Sequence, residues 1–162
     1  MEQGADINET TVDGATCLHK ASEKAKLDVL KYVMDKHQVD INVRTKIGRT
    51  PLWIAATNGH IEVVKELVEN STNTNIELEE EEGMSPLLGS CFFAQVEVIR
   101  YLVGKGANVM AKTTDGTNCL ILASGMECRR LYNWKVQTGK CGDATAFREL
   151  LEINEVLLHF NK

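Results

Sequence analysis

Glycines at positions 14, 48, 83 and 116 each open a turn of similar sequence, and they lie 34, 35 and 33 residues apart. A period near 33 is that of stacked helix-turn-helix units, in which each unit buries its apolar face only against its neighbours. The 162-residue chain is therefore expected to form one elongated array rather than a globule around a single core.

Aligned on those glycines, the turns read Gly14-Ala15-Thr16-Cys17-Leu18-His19, Gly48-Arg49-Thr50-Pro51-Leu52-Trp53, Gly83-Met84-Ser85-Pro86-Leu87-Leu88 and Gly116-Thr117-Asn118-Cys119-Leu120-Ile121. Glycine supplies a backbone geometry that other residues resist, Thr or Ser caps the helix that follows, and Pro fits its first turn. Small residues come next (Ala21-Ser22, Ala55-Ala56, Ser90-Cys91, Ala123-Ser124), letting neighbouring first helices approach closely. A second helix then carries an apolar stripe at i, i+4 spacing: Val29-Leu30 with Val33-Met34, Val63-Val64 with Leu67-Val68, and Val98-Ile99 with Leu102-Val103.

The turn resembles the Thr-Pro-Leu-His signature of ankyrin repeats. The unit ends agree, since Gly4-Ala5-Asp6-Ile7-Asn8, Val39-Asp40-Ile41-Asn42 and Gly106-Ala107-Asn108-Val109-Met110 resemble the family's Gly-Ala-Asp-Val-Asn, with Ser71-Thr72-Asn73-Thr74-Asn75 as a degenerate copy. Matching Asn75 to Asn8 and Asn42 makes the finger before Gly83 two residues longer than its fellows. The resemblance covers nearly the whole chain and implies an all-α ankyrin-repeat solenoid of helix-turn-helix units with β-hairpin fingers. Residues 1–8 read as the tail of a preceding repeat, followed by repeats at 9–42, 43–75, 76–110 and 111–162. In the fourth, Ala146-Phe147-Arg148-Glu149-Leu150-Leu151 matches Val63-Val64-Lys65-Glu66-Leu67-Val68 but lies 30 rather than 15 residues after its glycine. An insertion near 127–144 accounts for the delay, and a C-terminal cap follows. The chain reads as an excerpt of a longer array; Lys20, placed where the family is usually apolar, favours the alternative that repeat one caps the stack.

Composition narrows the function classes. The net charge of −5 disfavours nucleic acid as a partner, because a phosphate-tracking surface normally shows as net positive charge. No apolar run approaches the roughly 20 residues of a membrane span, so membrane insertion is not expected. Five cysteines (Cys17, Cys91, Cys119, Cys128, Cys141) are an odd set partly inside helices, which points to free thiols in a reducing compartment, the cytoplasm or nucleus. No nucleophile with a base, no paired catalytic carboxylates and no phosphate-cradling glycine motif occur, so no enzyme and no cofactor are expected. Cys119, Cys128, Cys141 and His159 are spaced 9, 13 and 18 residues apart, unlike any zinc motif, and no metal site is expected.

The family resemblance implies protein binding on the concave surface made by the fingers and the exposed sides of the first helices. The variable positions there include Lys46, Ile47, Arg49, Asn58, Glu81, Glu82, Met84, Phe92, Phe93, Asp115 and Met126, with Trp53 at the signature position. Phe92 and Phe93 stand where earlier units carry Glu23-Lys24 and Thr57-Asn58, so the repeat core does not require them, and an apolar pair marks a contact site. Alternatively, one of them turns sideways onto Trp53 or Leu88. Arg44, Lys46 and Arg49 make one finger basic, whereas Glu77 and Glu79 to Glu82 make the next acidic. Such fingers can orient a peptide of polarised charge, or simply remain solvated and pair with each other.

The expectation is thus a monomeric, non-enzymatic module that receives another protein or peptide segment, centred on Phe92, Phe93, Met84 and Trp53. Two other readings stay open. The insertion holds Arg129, Arg130, Tyr132, Trp134 and Lys135, a basic and aromatic mixture able to bind nucleic acid, a small ligand or a second protein. The repeats could also be an architectural spacer in a larger multidomain scaffold. Finally, Asn42 occupies a position that the family resemblance marks for hydroxylation, the alternative being that it stabilises its own hairpin.

Overall fold

Gly14, Gly48, Gly83 and Gly116 have φ angles of 79°, 80°, 75° and 82°, a left-handed geometry that a Cβ resists. The computed structural model describes residues 7–36, 39–70, 74–122, 155 and 159. Three residues after each glycine a first helix begins: α1 (Cys17–Glu23), α3 (Pro51–Thr57) and α5 (Pro86–Phe92), with α7 starting at residue 119 and described over 119–122. Three of these four starts are capped by a side chain, as their sequence dictates. Thr50 Oγ1 accepts the Trp53 N–H at 3.1 Å, Ser85 Oγ the Leu88 N–H at 3.3 Å and Asn118 Oδ1 the Ile121 N–H at 3.0 Å. Pro51 and Pro86 sit in the first turn, where a missing N–H costs nothing.

The second helices are α2 (Leu27–Lys36), α4 (Ile61–Glu69) and α6 (Val96–Gly104). First helices pack in a row, α1 on α3 on α5, and second helices in another, α2 on α4 on α6. Ala21, Ala55, Ala56, Ser90 and Cys91 are buried between first helices, and Leu30, Val64, Ile99, Leu67 and Leu102 are fully buried along the second row. Each of the larger side chains contributes about 1.5–3 kcal/mol by leaving water. Val29 departs from the expected stripe. It is 48% exposed although Val63 and Val98, in the same register, are buried, because that register faces the preceding unit's second helix and no such helix stands before α2 among the described residues.

The fingers are tighter than the expected β-hairpins. Each is a turn closed by two backbone bonds, one from the glycine N–H to the carbonyl three residues before it and one from that residue's N–H to the carbonyl after the glycine: Thr11 to Ala15 at 2.9 Å, Thr45 to Arg49 at 2.9 Å, Glu80 to Met84 at 3.2 Å and Thr113 to Thr117 at 2.9 Å. Among the described residues the β pairing amounts to an isolated antiparallel bridge, Lys112 with Asn118.

The finger before Gly83 is not lengthened. The side chain of Asp40 accepts the Asn42 N–H at 2.9 Å, that of Asn75 the Glu77 N–H at 3.0 Å and that of Asn108 the Met110 N–H at 3.0 Å. Asn75 therefore stands in register with Asp40 and Asn108, and all three lie eight residues before their glycine. The variation in unit length falls instead between the second helix and the finger, where an extra residue lengthens a connection without shifting any packed position. The insertion near 127–144 and the residues placed on or beside it, Met126, Arg129, Arg130, Tyr132, Trp134 and Lys135, lie outside the described residues.

Candidate partner-binding groove

The fingers form a rigid row because each is bonded to the next through the backbone. The Lys46 N–H donates to Asp13 O at 3.0 Å, Glu81 N–H to Ile47 O at 3.1 Å and Thr114 N–H to Glu82 O at 3.0 Å. A side chain braces each finger from inside: Thr11 Oγ1 accepts the Ala15 N–H at 3.0 Å, Thr45 Oγ1 the Arg49 N–H at 3.1 Å and Thr113 Oγ1 the Thr117 N–H at 3.0 Å. In the third finger Glu80 takes this place. Its Oε1 accepts the Glu82 N–H at 2.9 Å and the Met84 N–H at 3.4 Å, and the residue is buried. One member of the glutamate run is thus structural.

First-helix side chains tie the same fingers from below. His19 is buried, with its Nδ1 accepting the Thr16 N–H at 3.0 Å, so its Nε2–H donates to Arg49 O at 3.0 Å. Burial holds the imidazole below its ordinary value. One unit on, Trp53 Nε1–H donates to Met84 O at 3.0 Å. Its indole fits because position 89 is glycine. A Cβ there would stand 2.7 Å from Thr57 Cγ2 and 3.3 Å from Trp53 Nε1.

Between these fingers and the first helices runs a groove of about 590 Å³. Lys46, Ile47, Arg49, Trp53, Asn58 and Phe93 line it, so half of the residues expected at the contact surface meet there. Trp53 is only 5% exposed and forms the floor. The Arg49 guanidinium lies over its ring at 4.5 Å from the centroid, a cation–π contact. Ile47 and Phe93, 40% and 43% exposed, stand at the margins. Of the four residues on which the contact surface is expected to centre, Trp53 and Phe93 line the groove, whereas Phe92 and Met84 do not. Phe92 is half-buried, its ring edge-on to Phe93 at 4.9 Å between centroids, and does not line the groove.

Four expected residues stand elsewhere on the finger row. Glu81 and Glu82 are exposed on the third finger and Met84 is half-buried beside them. Asp115, on the fourth, is exposed but engaged: its carboxylate accepts the Thr113 hydroxyl and the Thr117 N–H, and these bonds hold it below the usual carboxylate range. Arg44 donates to the carbonyls of Gly48 and Glu79, so it braces two fingers rather than facing the groove. Asn42 is half-buried; its Oδ1 accepts the Asn75 N–H at 3.0 Å, as Glu77 Oε1 accepts the Asn108 N–H at 2.9 Å in the next unit.

Asp13, Glu23 and Thr57, variable positions of the first two units, also line the groove, and so do Lys20, Thr45 and Ile54, which the repeat pattern does not single out for it. Among the described residues no three His, Cys, Asp or Glu side chains converge to hold a metal ion, and no helix is long and apolar enough to cross a membrane.

Comparison with known proteins gives a family model of ankyrin repeats matching residues 1–78. The chain is 29% identical over 113 residues to an ankyrin repeat protein of Rickettsia felis, covering 69% of this chain and 37% of that one. It is 30% identical over 131 residues to a palmitoyltransferase of Lachancea kluyveri (78% and 17%), and 27% identical over 145 residues to an ankyrin repeat and KH domain-containing protein of Caenorhabditis briggsae (88% and 5%). The chain thus spans well under half the length of these relatives.

Proposed function

We propose, from the premise that the chain belongs to the ankyrin-repeat family, that it captures a protein segment in the groove between its first two fingers and the first helices. Ankyrin repeats are generally non-enzymatic protein–protein interaction modules, and the activity named for the palmitoyltransferases is a property of those longer proteins. The observation that carries the reading is the exposure of Ile47 and Phe93 along a groove whose floor is fixed by hydrogen bonds. Neither side chain fills the core, and a row of bonded fingers binds without first ordering itself, which spares the entropic cost of association. A cytoplasmic or nuclear setting goes with this reading, in which Cys17, Cys91 and Cys119 remain free thiols.

The test is selection from a displayed peptide library against the whole chain, with binding of the selected peptides then measured on an Ile47→Ala, Phe93→Ala double variant. Binding is expected to fall about tenfold or more while the urea midpoint stays within what surface changes allow, about 0.5 kcal/mol each. Peptides that bind the variant equally well would sink the proposal. An architectural role in a larger scaffold is the second reading, favoured by the small share of each relative that this chain spans.

A further inference from the structure

The charges of the groove do not cancel. Glu23 is engaged by Lys20 at 3.0 Å and Lys24 at 2.8 Å, and Asp13 accepts the hydroxyl of Thr11. Lys46 and Arg49, by contrast, have no carboxylate within ion-pair distance among the described residues. Arg49 Nε is moreover buried without a hydrogen-bond partner, a donor for which folding has provided no acceptor. Over the lining, three cations (Lys20, Lys46, Arg49) meet two carboxylates (Asp13, Glu23), which leaves one positive charge over in a chain whose net charge is −5.

Resting on the groove reading above, we infer that the segment it takes is acidic next to an apolar anchor: a carboxylate reaching Lys46 and Arg49, beside an aliphatic or aromatic side chain seated between Ile47 and Phe93. Charge complementarity selects this occupant. A carboxylate at the Arg49 guanidinium forms charge-assisted hydrogen bonds and keeps the cation stacked on Trp53. The exposed Glu81 and Glu82 on the neighbouring finger repel a second acidic residue, so the segment's acidic end lies toward the first two fingers and its other end is neutral or basic. The same glutamates, with the overall negative charge, disfavour a polyphosphate strand, whose charge repeats along its length.

The experiment uses the peptides selected from a displayed library of random segments on the 162-residue chain. Recovered sequences are expected to pair Asp or Glu with a neighbouring Leu, Ile, Phe or Trp. For a synthetic, fluorescently labelled copy, Lys46→Glu is expected to weaken binding about tenfold. A copy with its acidic residues replaced by lysine should fail on the wild type and regain binding on Lys46→Glu. Lys46 is exposed, so the variant's thermal melt should match the wild type; Lys46→Gln, expected to show the intermediate loss, covers the case in which it does not. Peptides without acidic bias that still lose binding on Ile47→Ala with Phe93→Ala would overturn this inference and leave the groove reading intact. Peptides indifferent to both sets of variants, or a library that returns no binder, would overturn both.

Discussion

Units one and two fasten themselves to the next finger through a first-helix side chain, whereas unit three, at the same register, carries Leu88. His19 Nε2–H reaches Arg49 O and Trp53 Nε1–H reaches Met84 O, both at 3.0 Å. Leu88 is fully buried and has no donor to offer Thr117. An imidazole and an indole differ in size and basicity, yet they end on the same carbonyl of successive fingers. What this register selects is therefore a ring N–H at the right reach, and the chain around it adapts, as Gly89 does for Trp53. The third junction relies on apolar burial and the finger bond from Thr114. There the Cys91 thiol is held well above its ordinary range by hydrogen bonding with Cys119 and by burial. The groove lies over the two junctions with the polar tie, where a binding surface is held in one shape.

The largest effect should come from deleting the tie and its volume together. Trp53→Ala removes the groove floor, the support of Arg49 and the bond to Met84 O, and is expected to cost about 3–5 kcal/mol, as large aromatic-to-alanine changes do. Urea unfolding measures it. A loss under about 0.5 kcal/mol, the range of surface changes, would mean that the second junction is no more dependent on its first-helix ring than on any exposed residue.

Much of this was legible beforehand. The turn glycines, the Thr and Ser caps and the buried small pairs follow from local chemistry that each unit repeats, so pattern alone placed them. Asn75 was misplaced because it was matched by residue type to Asn42. Counting eight residues back from each glycine lands on Asp40, Asn75 and Asn108, the residues that do the same hydrogen-bonding work. Glu80 was hidden in a run of glutamates, since which carboxylate turns inward is decided by its place three residues before glycine and not by its type. The groove's position was the least legible part. Exposure of Ile47 and burial of Trp53 depend on how far the first helices lean under the fingers, which no single unit encodes.

A substitution that keeps a smaller aromatic ring and removes the donor probes the polar tie with less loss of volume than alanine. Trp53→Phe leaves Met84 O without its partner and is expected to cost about 1–3 kcal/mol. Leu88→Met, in the unit that has no tie, conserves volume and should cost less than about 1.5 kcal/mol. Both can be read as shifts of the urea midpoint, with Trp53→Phe the larger. If the two fall together, packing alone explains all three junctions and the distinction between them fails.

The smallest effect separates the two tied junctions from each other, because His19 titrates and Trp53 does not. Burial lowers the His19 value below the ordinary 6.5, helped slightly by Lys20 and opposed by its bond to Arg49 O and by Asp13. Below 6.5 the unfolded chain takes up a proton on this residue that the folded chain refuses. Its contribution is therefore complete above 6.5 and is lost as pH falls through 6.5 toward the lowered folded value. Protonation would also set an Nδ1–H against the Thr16 N–H, so the strain falls on the first junction and leaves the second untouched. His19→Gln keeps an acceptor and a donor but no titration. Between about pH 7.5 and pH 5.5, wild-type melting temperature should fall more than that of His19→Gln. Asp13, Glu23, Glu69 and Asp115, all held below their ordinary values, stay ionised in that window and cancel in the difference. Parallel pH profiles for the two proteins would show that the imidazole, like the indole, serves only as a neutral hydrogen-bond donor.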